Sequence, residues 1–277
     1  MPDDGAADDP TVDAPGEVTA GGWSDGDVVR LGTIDSTNRY LLDAVAAGRD
    51  GGSVAVCDHQ RAGRGRRGRR WADPPGGSLL CSVLFRPRLE PDHFGLLTLL
   101  VAAATVEAIE AVTGAHASVK WPNDVLIDDR KVAGILAEVG RPGPDGATPV
   151  VVGVGVNLAA PTGWLDETVG DDGLPIGTRA TTLEDATGIA PDRDVMLGAF
   201  LAALSRRCGP EPTSAIVSPT VIEMRHRCST IGRAVRIDDA SGSREGVAIG
   251  ITDAGRLEVE IDGRNVIVEA ADVTHLR

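Results

Sequence analysis

The chain has 277 residues, 42% of them hydrophobic, which is enough to bury one large core or two smaller ones. Acidic residues outnumber basic ones 41 to 27, and the formal net charge of −14 disfavours general binding to nucleic-acid phosphates. No run of about 18 apolar residues is present, so no membrane-spanning helix is expected.

Residues 1–27 are rich in Asp, Gly, Pro and Ala and lack the basic-then-apolar layout of a secretory signal. They read as a disordered acidic tail on a cytoplasmic protein. The first strand is expected over Val28–Ile34, and "DSTNRYLLDAVAAG" then reads as a helix. Ser36 or Thr37 caps it, Tyr40, Leu41 and Val45 form its apolar side, and Gly48 stops it. "GGSVAVCDHQ" and "GGSLLCSVLFRP" are apolar strands on either side of an arginine-rich loop. Leu96–Val112, ended by Gly114, reads as a buried helix. "ASVKWPNDVLID" and "VAGILAEV" are joined by the polar turn Asp128–Arg130 as a hairpin, with "PVVVGVGVNL" alongside. Helices are expected over Asp194–Cys208 and Thr220–Cys228, with Pro210, Pro212 and Pro219 between. Beyond residue 230 short alternating strands form a small all-β module.

Six arginines (Arg61, Arg64, Arg66, Arg67, Arg69 and Arg70) crowd the loop before Trp71, interleaved with Gly63, Gly65 and Gly68. Glycines let backbone approach a ligand closely, and guanidinium forks suit phosphate or carboxylate. A polyanion such as a triphosphate fits this loop; a solvated charge run is the competing reading. Only two of the 27 basic residues are lysine, Lys120 and Lys131. Either they are chance survivors, or a compact ammonium is needed where they stand. The acidic, lysine-poor composition also suits a salty cytoplasm, although high-GC codon usage equally favours Arg and Ala. Asp124 in "WPND" is a carboxylate able to help hold a magnesium–nucleotide complex, although Pro122 and Asn123-Asp124 equally suit a plain turn. In "GVGVN", Gly153–Asn157, the glycines share one strand face, open to a ligand or to tight packing. No strand–turn–helix setting supports a dinucleotide fingerprint. The five histidines and four cysteines show no metal-ligand spacing, and reduced thiols are expected.

In this order, "DSTN" (35–38), "QRAGRGRRGRRW" (60–71), "KWPNDVLIDDRKVAGILAEV" (120–139) and "VGVGVNL" (152–158) resemble the biotin–protein ligase family, over residues 28–277. The resemblance implies an α+β fold. A mixed β-sheet catalytic domain backed by helices, related to class II aminoacyl-tRNA synthetases, would occupy 28–229, and a small C-terminal β-barrel 230–277. It implies that biotin and MgATP give biotinyl-5′-AMP, whose acyl group passes to a lysine of the biotin carboxyl carrier domain of an acyl-CoA carboxylase. Lys131, Arg64 and Arg66 would be catalytic, holding the carboxylate and α-phosphate together. Ser36, Thr37, Asn38, Gln60, Arg64, Gly65, Arg66, Lys131, Gly134, Leu136 and Gly155 would bind biotin. Arg66, Arg67, Arg69, Trp71, Asp124 and Asn157 would bind ATP or the adenylate, with Trp71 beside the adenine. The arginine loop would close over the adenylate as a lid. Residues 1–27 are too few for the winged-helix DNA-binding domain of many members, so no DNA or membrane partner is expected, and a homodimer is. A lipoate–protein ligase-like acyltransferase and a non-catalytic nucleotide- or carrier-binding module are the alternatives.

Overall fold

The structure, a computed structural model, describes residues 23, 25–48, 53–143, 146–239, 242–269 and 271–276. Most of the expected tail, residues 1–22, lies outside this set. Trp23 differs from that expectation. Its indole is buried, meets Phe85 edge-on at 5.3 Å and donates to the Cys208 carbonyl. A tryptophan brings too much apolar surface to leave in water when a neighbouring core can take it.

Seven strands form one sheet: β1 (Val28–Ile34), β2 (Val54–Gln60), β3 (Ser78–Phe85), β4 (Ser118–Lys120), β5 (Asp124–Ile127), β6 (Arg130–Val139) and β7 (Val150–Asn157). Their order is β1-β2-β3-β7-β6-β5-β4, with β1 and β2 parallel and the other neighbours antiparallel. The parallel pair is connected through α1 (Thr37–Ala46), capped by the Ser36 hydroxyl, which accepts from the Arg39 amide. All of β3 is buried, as expected for a central strand covered on both faces.

The period of two along the strands sorts the side chains. Val54, Val56, Leu79, Cys81, Val83, Val152, Val154 and Val156 join the large core with α2 (Gly95–Thr113), while Ala55, Cys57, Leu80, Leu84 and Val151 pack with Leu41 of α1. By length and hydropathy Pro91–Thr113 is one candidate to cross a membrane, which corrects the expectation that none exists. Its apolarity has another cause: α2 lies against β6 and is flanked by α5 (Arg193–Ser205) and α6 (Val217–Arg227). Two short helices, α3 (Trp164–Glu167) and α4 (Leu183–Thr187), lie between β7 and α5 in a stretch whose sequence shows no helical periodicity.

Among the described residues beyond 233, a second sheet has five antiparallel strands: β8 (Ala234–Asp239), β9 (Gly242–Ile251), β10 (Leu257–Ile261), β11 (Arg264–Val268) and β12 (Asp272–His275). Their order is β11-β10-β9-β8-β12. Trp121 fastens this sheet to the first. Its amide donates to the Thr230 hydroxyl at 3.0 Å and its indole to the Gly255 carbonyl at 2.9 Å. The apolar core runs without a break from α2 into Val235, Ile237, Leu257 and Val259.

Candidate active site

One row of cross-strand pairs gathers the chemistry. Lys120 on β4 is opposite Asp124 on β5, Asp124 opposite Gly134 on β6, Gly134 opposite Gly155 on β7, and Gly155 opposite Leu80 on β3. Two of the quoted motifs, "KWPNDVLIDDRKVAGILAEV" and "VGVGVNL", therefore meet on one face of one sheet. The "GVGVN" alternation is explained here: its valines face the α2 core and its glycines face this row. The Asp128–Asp129 turn that brings β6 back beside β5 has φ of 49° and 59°, a left-handed pair that aspartate tolerates.

Over the row lies a cavity of about 1240 Å³. Of the expected site residues, Ser36, Thr37, Asn38, Gln60, Arg64, Gly65, Arg66, Arg69, Trp71, Asp124, Lys131, Gly134, Leu136, Gly155 and Asn157 all line it. Arg67 does not, and is turned to the C-terminal sheet. Both lysines of the chain face the cavity. Lys131 Nζ sits 2.6 Å from Asp124 Oδ1 and 5.5 Å from the centre of the Trp71 ring. Burial, with the charges of Lys131 and Arg69, pushes Lys120 below the ordinary ammonium value, and Asp124 and Asp272 oppose the shift. Burial likewise lowers Arg66.

At the α1 end the polar groups form a chain. Gln60 Oε1 accepts from the Thr37 amide and hydroxyl, at 2.9 and 3.2 Å, and the Ser82 hydroxyl bridges Thr37 and Asn38 at 2.7 and 2.6 Å. Asn38 Nδ2 donates to the Leu136 carbonyl and to Glu138 Oε2. The amide of Asn38 thus acts as a strut between α1, β3 and β6 at the wall of the cavity. Arg64 is held by Glu138 at 2.9 Å, and Asn157 Nδ2 donates to the Thr181 carbonyl.

Trp71 lies over the glycines of the cavity floor. Its ring lies on the backbone of Gly134 and Gly155: a Cβ on Gly155 would stand 2.6 Å from Cε2 and Cζ2, and one on Gly134 2.8 Å from Cζ3. Among the described residues its buried Nε1 has no hydrogen-bond partner. Trp71 covers the very floor that the sequence reserves for another ring, so the two are not separate subsites in this state.

Several lining residues are not evident from sequence. Asp171, whose carboxylate accepts from the Arg70 amide, and Arg179, ion-paired with Asp172, come from the aperiodic stretch after β7. Arg233, Asp272 and His275 come from the second sheet. His275 Nδ1 accepts from Arg233 at 3.3 Å and its Nε2 lies 3.0 Å from Thr230 Oγ1, and burial, then the Lys120 and Arg233 charges, depress it to about 4. No local signal marks these positions, because each reaches the cavity only through the tertiary fold.

Two family models match the chain: the biotin/lipoate A/B protein ligase family over residues 31–157 and the biotin protein ligase C terminal domain over 230–276. The Mycobacterium tuberculosis biotin--[acetyl-CoA-carboxylase] ligase is 38% identical over 92% of this chain and 91% of its own length. The chain belongs to the biotin protein ligase family. Within that family, the Paracoccus denitrificans biotin--[acetyl-CoA-carboxylase] ligase is 32% identical, covering 88% of this chain and 98% of itself. Among solved structures, the Aquifex aeolicus biotin protein ligase in complex with biotin and ATP superposes with a TM-score of 0.72 at 25% identity, over 90% of this chain and 98% of that one. The expected α+β architecture thus holds, a mixed sheet backed by helices with an antiparallel C-terminal sheet.

Proposed function

We propose that the protein joins biotin to a carrier lysine through biotinyl-5′-AMP, and that the cavity over the Lys120–Asp124–Gly134–Gly155 row is where this occurs. The observation that carries the reading is the meeting of a flat glycine floor with an end rich in lysine and arginine. Biotin is an apolar ring system with a polar ureido group at one end and a carboxylate at the other. A flat floor with few placed polar groups suits the first, and fixed cations suit the second.

In the first step a biotin carboxylate oxygen attacks the α-phosphorus. A phosphorus–oxygen bond forms, the bond to the α,β-bridging oxygen breaks, and pyrophosphate leaves. Two anions must approach, so Lys131, Arg64 and Arg66 serve by neutralising charge as it develops. No protein nucleophile is needed, and catalysis is mostly positioning. Ser36, Thr37 and Gln60 supply the ureido-side hydrogen bonds, Gly65, Gly134, Leu136 and Gly155 supply backbone, and Arg67, Arg69, Asn157 and Trp71 serve the nucleotide side. Mg²⁺ enters as part of MgATP, and Asp124 is the carboxylate in place to meet it. In the second step the carrier lysine's neutral amine attacks the acyl carbon, AMP departs, and the amine's spare proton goes to solvent. The partner is the biotin carrier domain of an acyl-CoA carboxylase.

The test uses purified protein, MgATP, labelled biotin or lipoate, and a carrier domain. Biotin-dependent pyrophosphate release followed by carrier labelling supports the reading. Labelling with lipoate alone overturns it.

A further inference from the structure

The arginine loop does not overhang the cavity freely, because three of its guanidiniums reach the second sheet at one place. Arg66 Nη1 donates to the Ala271 carbonyl at 3.2 Å, Arg67 Nη1 to Asp272 Oδ2 at 3.2 Å, and Arg69 Nη2 to Asp272 Oδ1 at 2.8 Å. One carboxylate therefore takes an arginine on each oxygen, from residues 205 and 203 positions away. The backbone of Asp272 is fixed by its register opposite Asp238 on β8, while its side chain remains 34% exposed and open to exchange. Arg67 has a φ of 55°, a left-handed conformation that a non-glycine residue keeps only where its surroundings hold it.

Two guanidiniums closing on two oxygens is also how arginines grip a phosphate. The Asp272 carboxylate is a monoanion in the place where a more highly charged group would compete for the same forks. Its field also reaches Arg66 and Lys120, so it offsets part of the cationic cluster around the cavity.

We propose that Asp272 is a positioning residue that trades places with the pyrophosphate end of ATP on Arg67 and Arg69. The triphosphate displaces the carboxylate on binding. Once pyrophosphate has left, the carboxylate returns and ties the loop down over the acyl-adenylate until the carrier lysine arrives. This rests on the ligase reading above. Ion pairs this exposed are individually weak, so a polyphosphate displaces them readily, whereas two on one carboxylate suffice to bias an otherwise empty loop.

The experiment compares the full chain with Asp272→Asn and Asp272→Glu. ATP–pyrophosphate exchange gives the KM for ATP, and gel filtration after pyrophosphatase treatment gives the retention half-life of labelled biotinyl-AMP without carrier. For Asp272→Asn the KM for ATP is expected to fall about threefold and retention to shorten about fivefold, the scale of one or two exposed ion pairs. Asp272→Glu restores both. A merely structural role would instead raise the KM and lower thermal stability together, and that outcome overturns the proposal, as does retention within twofold of wild type. Should Asp272→Asn fail to fold, the Arg67→Gln/Arg69→Gln variant replaces it for retention, with the same expected loss and the same overturning result. If the wild type shows no biotin-dependent exchange, the ligase reading itself falls and takes this one with it.

Discussion

Lys131 Nζ stands 2.6 Å from Asp124 Oδ1 while also facing the Trp71 ring at 5.5 Å. The three residues come from β6, the start of β5 and the end of the arginine loop, so the sheet and the loop folded over it bring them together. An ammonium balanced between a carboxylate and an aromatic face is positioned before any substrate arrives. Its charge can be redirected to a new anion with little reorganisation.

Lys131→Ala is accordingly expected to slow biotin-dependent ATP–pyrophosphate exchange by about 10²–10³-fold, the usual scale for removing one preorganised charge or donor. The pair is only partly buried, with side chains 31% and 25% exposed, so the melting temperature should change little. A fully active variant would remove Lys131 from the mechanism.

Asn38→Ala should behave in the opposite sense. It removes the amide that joins Ser82, Leu136 and Glu138, although the Ser82 hydroxyl keeps Thr37, at a cost of about 1–2 kcal/mol in chemical denaturation. If the variant is as stable as the parent yet binds biotin poorly, Asn38 is a ligand contact after all and not a strut.

Gly155→Ala places a Cβ 2.6 Å from two Trp71 ring atoms, a contact neither can keep. Overpacking of this kind costs about 1–3 kcal/mol in the ligand-free state, so the melting temperature should fall by several degrees. Gly32→Ala, with nothing within 4 Å of its added carbon, is the matched control and should be neutral.

A ligand ring laid on Gly134 and Gly155 must displace Trp71. Biotin should therefore change the tryptophan emission of the wild type, and that change should vanish in Trp71→Phe although the other three tryptophans remain. An unchanged signal in Trp71→Phe would assign the response elsewhere.

His275 gives a pH signature. Its folded value of about 4 lies below the ordinary 6.5, so between these values the unfolded chain binds a proton that the folded chain refuses. Stability is present above 6.5, falls as pH drops towards 4, and shows no further change from this group below that. Half-burial discounts the slope to no more than about 1 kcal/mol per pH unit. His275→Gln should flatten that interval in urea titrations monitored from pH 7 to 4.

Much of this was legible before any coordinates. The strands from Val28 to Asn157 follow from alternation and glycine-bounded runs, and α2 from its length and Gly114. The cavity residues were legible because their motifs are local: "DSTN", the arginine loop, "KWPND" and "GVGVN". What escaped was everything defined by distance along the chain. Asp272 meets Arg67 across 205 positions, and Asp171 meets Arg70 across 101. A single sequence records neither pairing, since an exposed aspartate after a turn looks alike whether or not an arginine awaits it. The packing of Trp71 on Gly134 and Gly155 escaped for a different reason, because an aromatic ring covers whichever apolar floor is open to it.

The placement of both lysines inside the cavity has a consequence for the fate of the product. A mixed anhydride that escapes into solution acylates whatever unprotonated amine it meets. The outer surface offers arginine guanidiniums, which stay protonated and do not compete. Apart from the terminal amino group, the enzyme presents no external lysine to its own intermediate, and is thereby a poor acceptor of the label that it makes. Self-modification is then expected only at the terminal amino group and at Lys120 and Lys131.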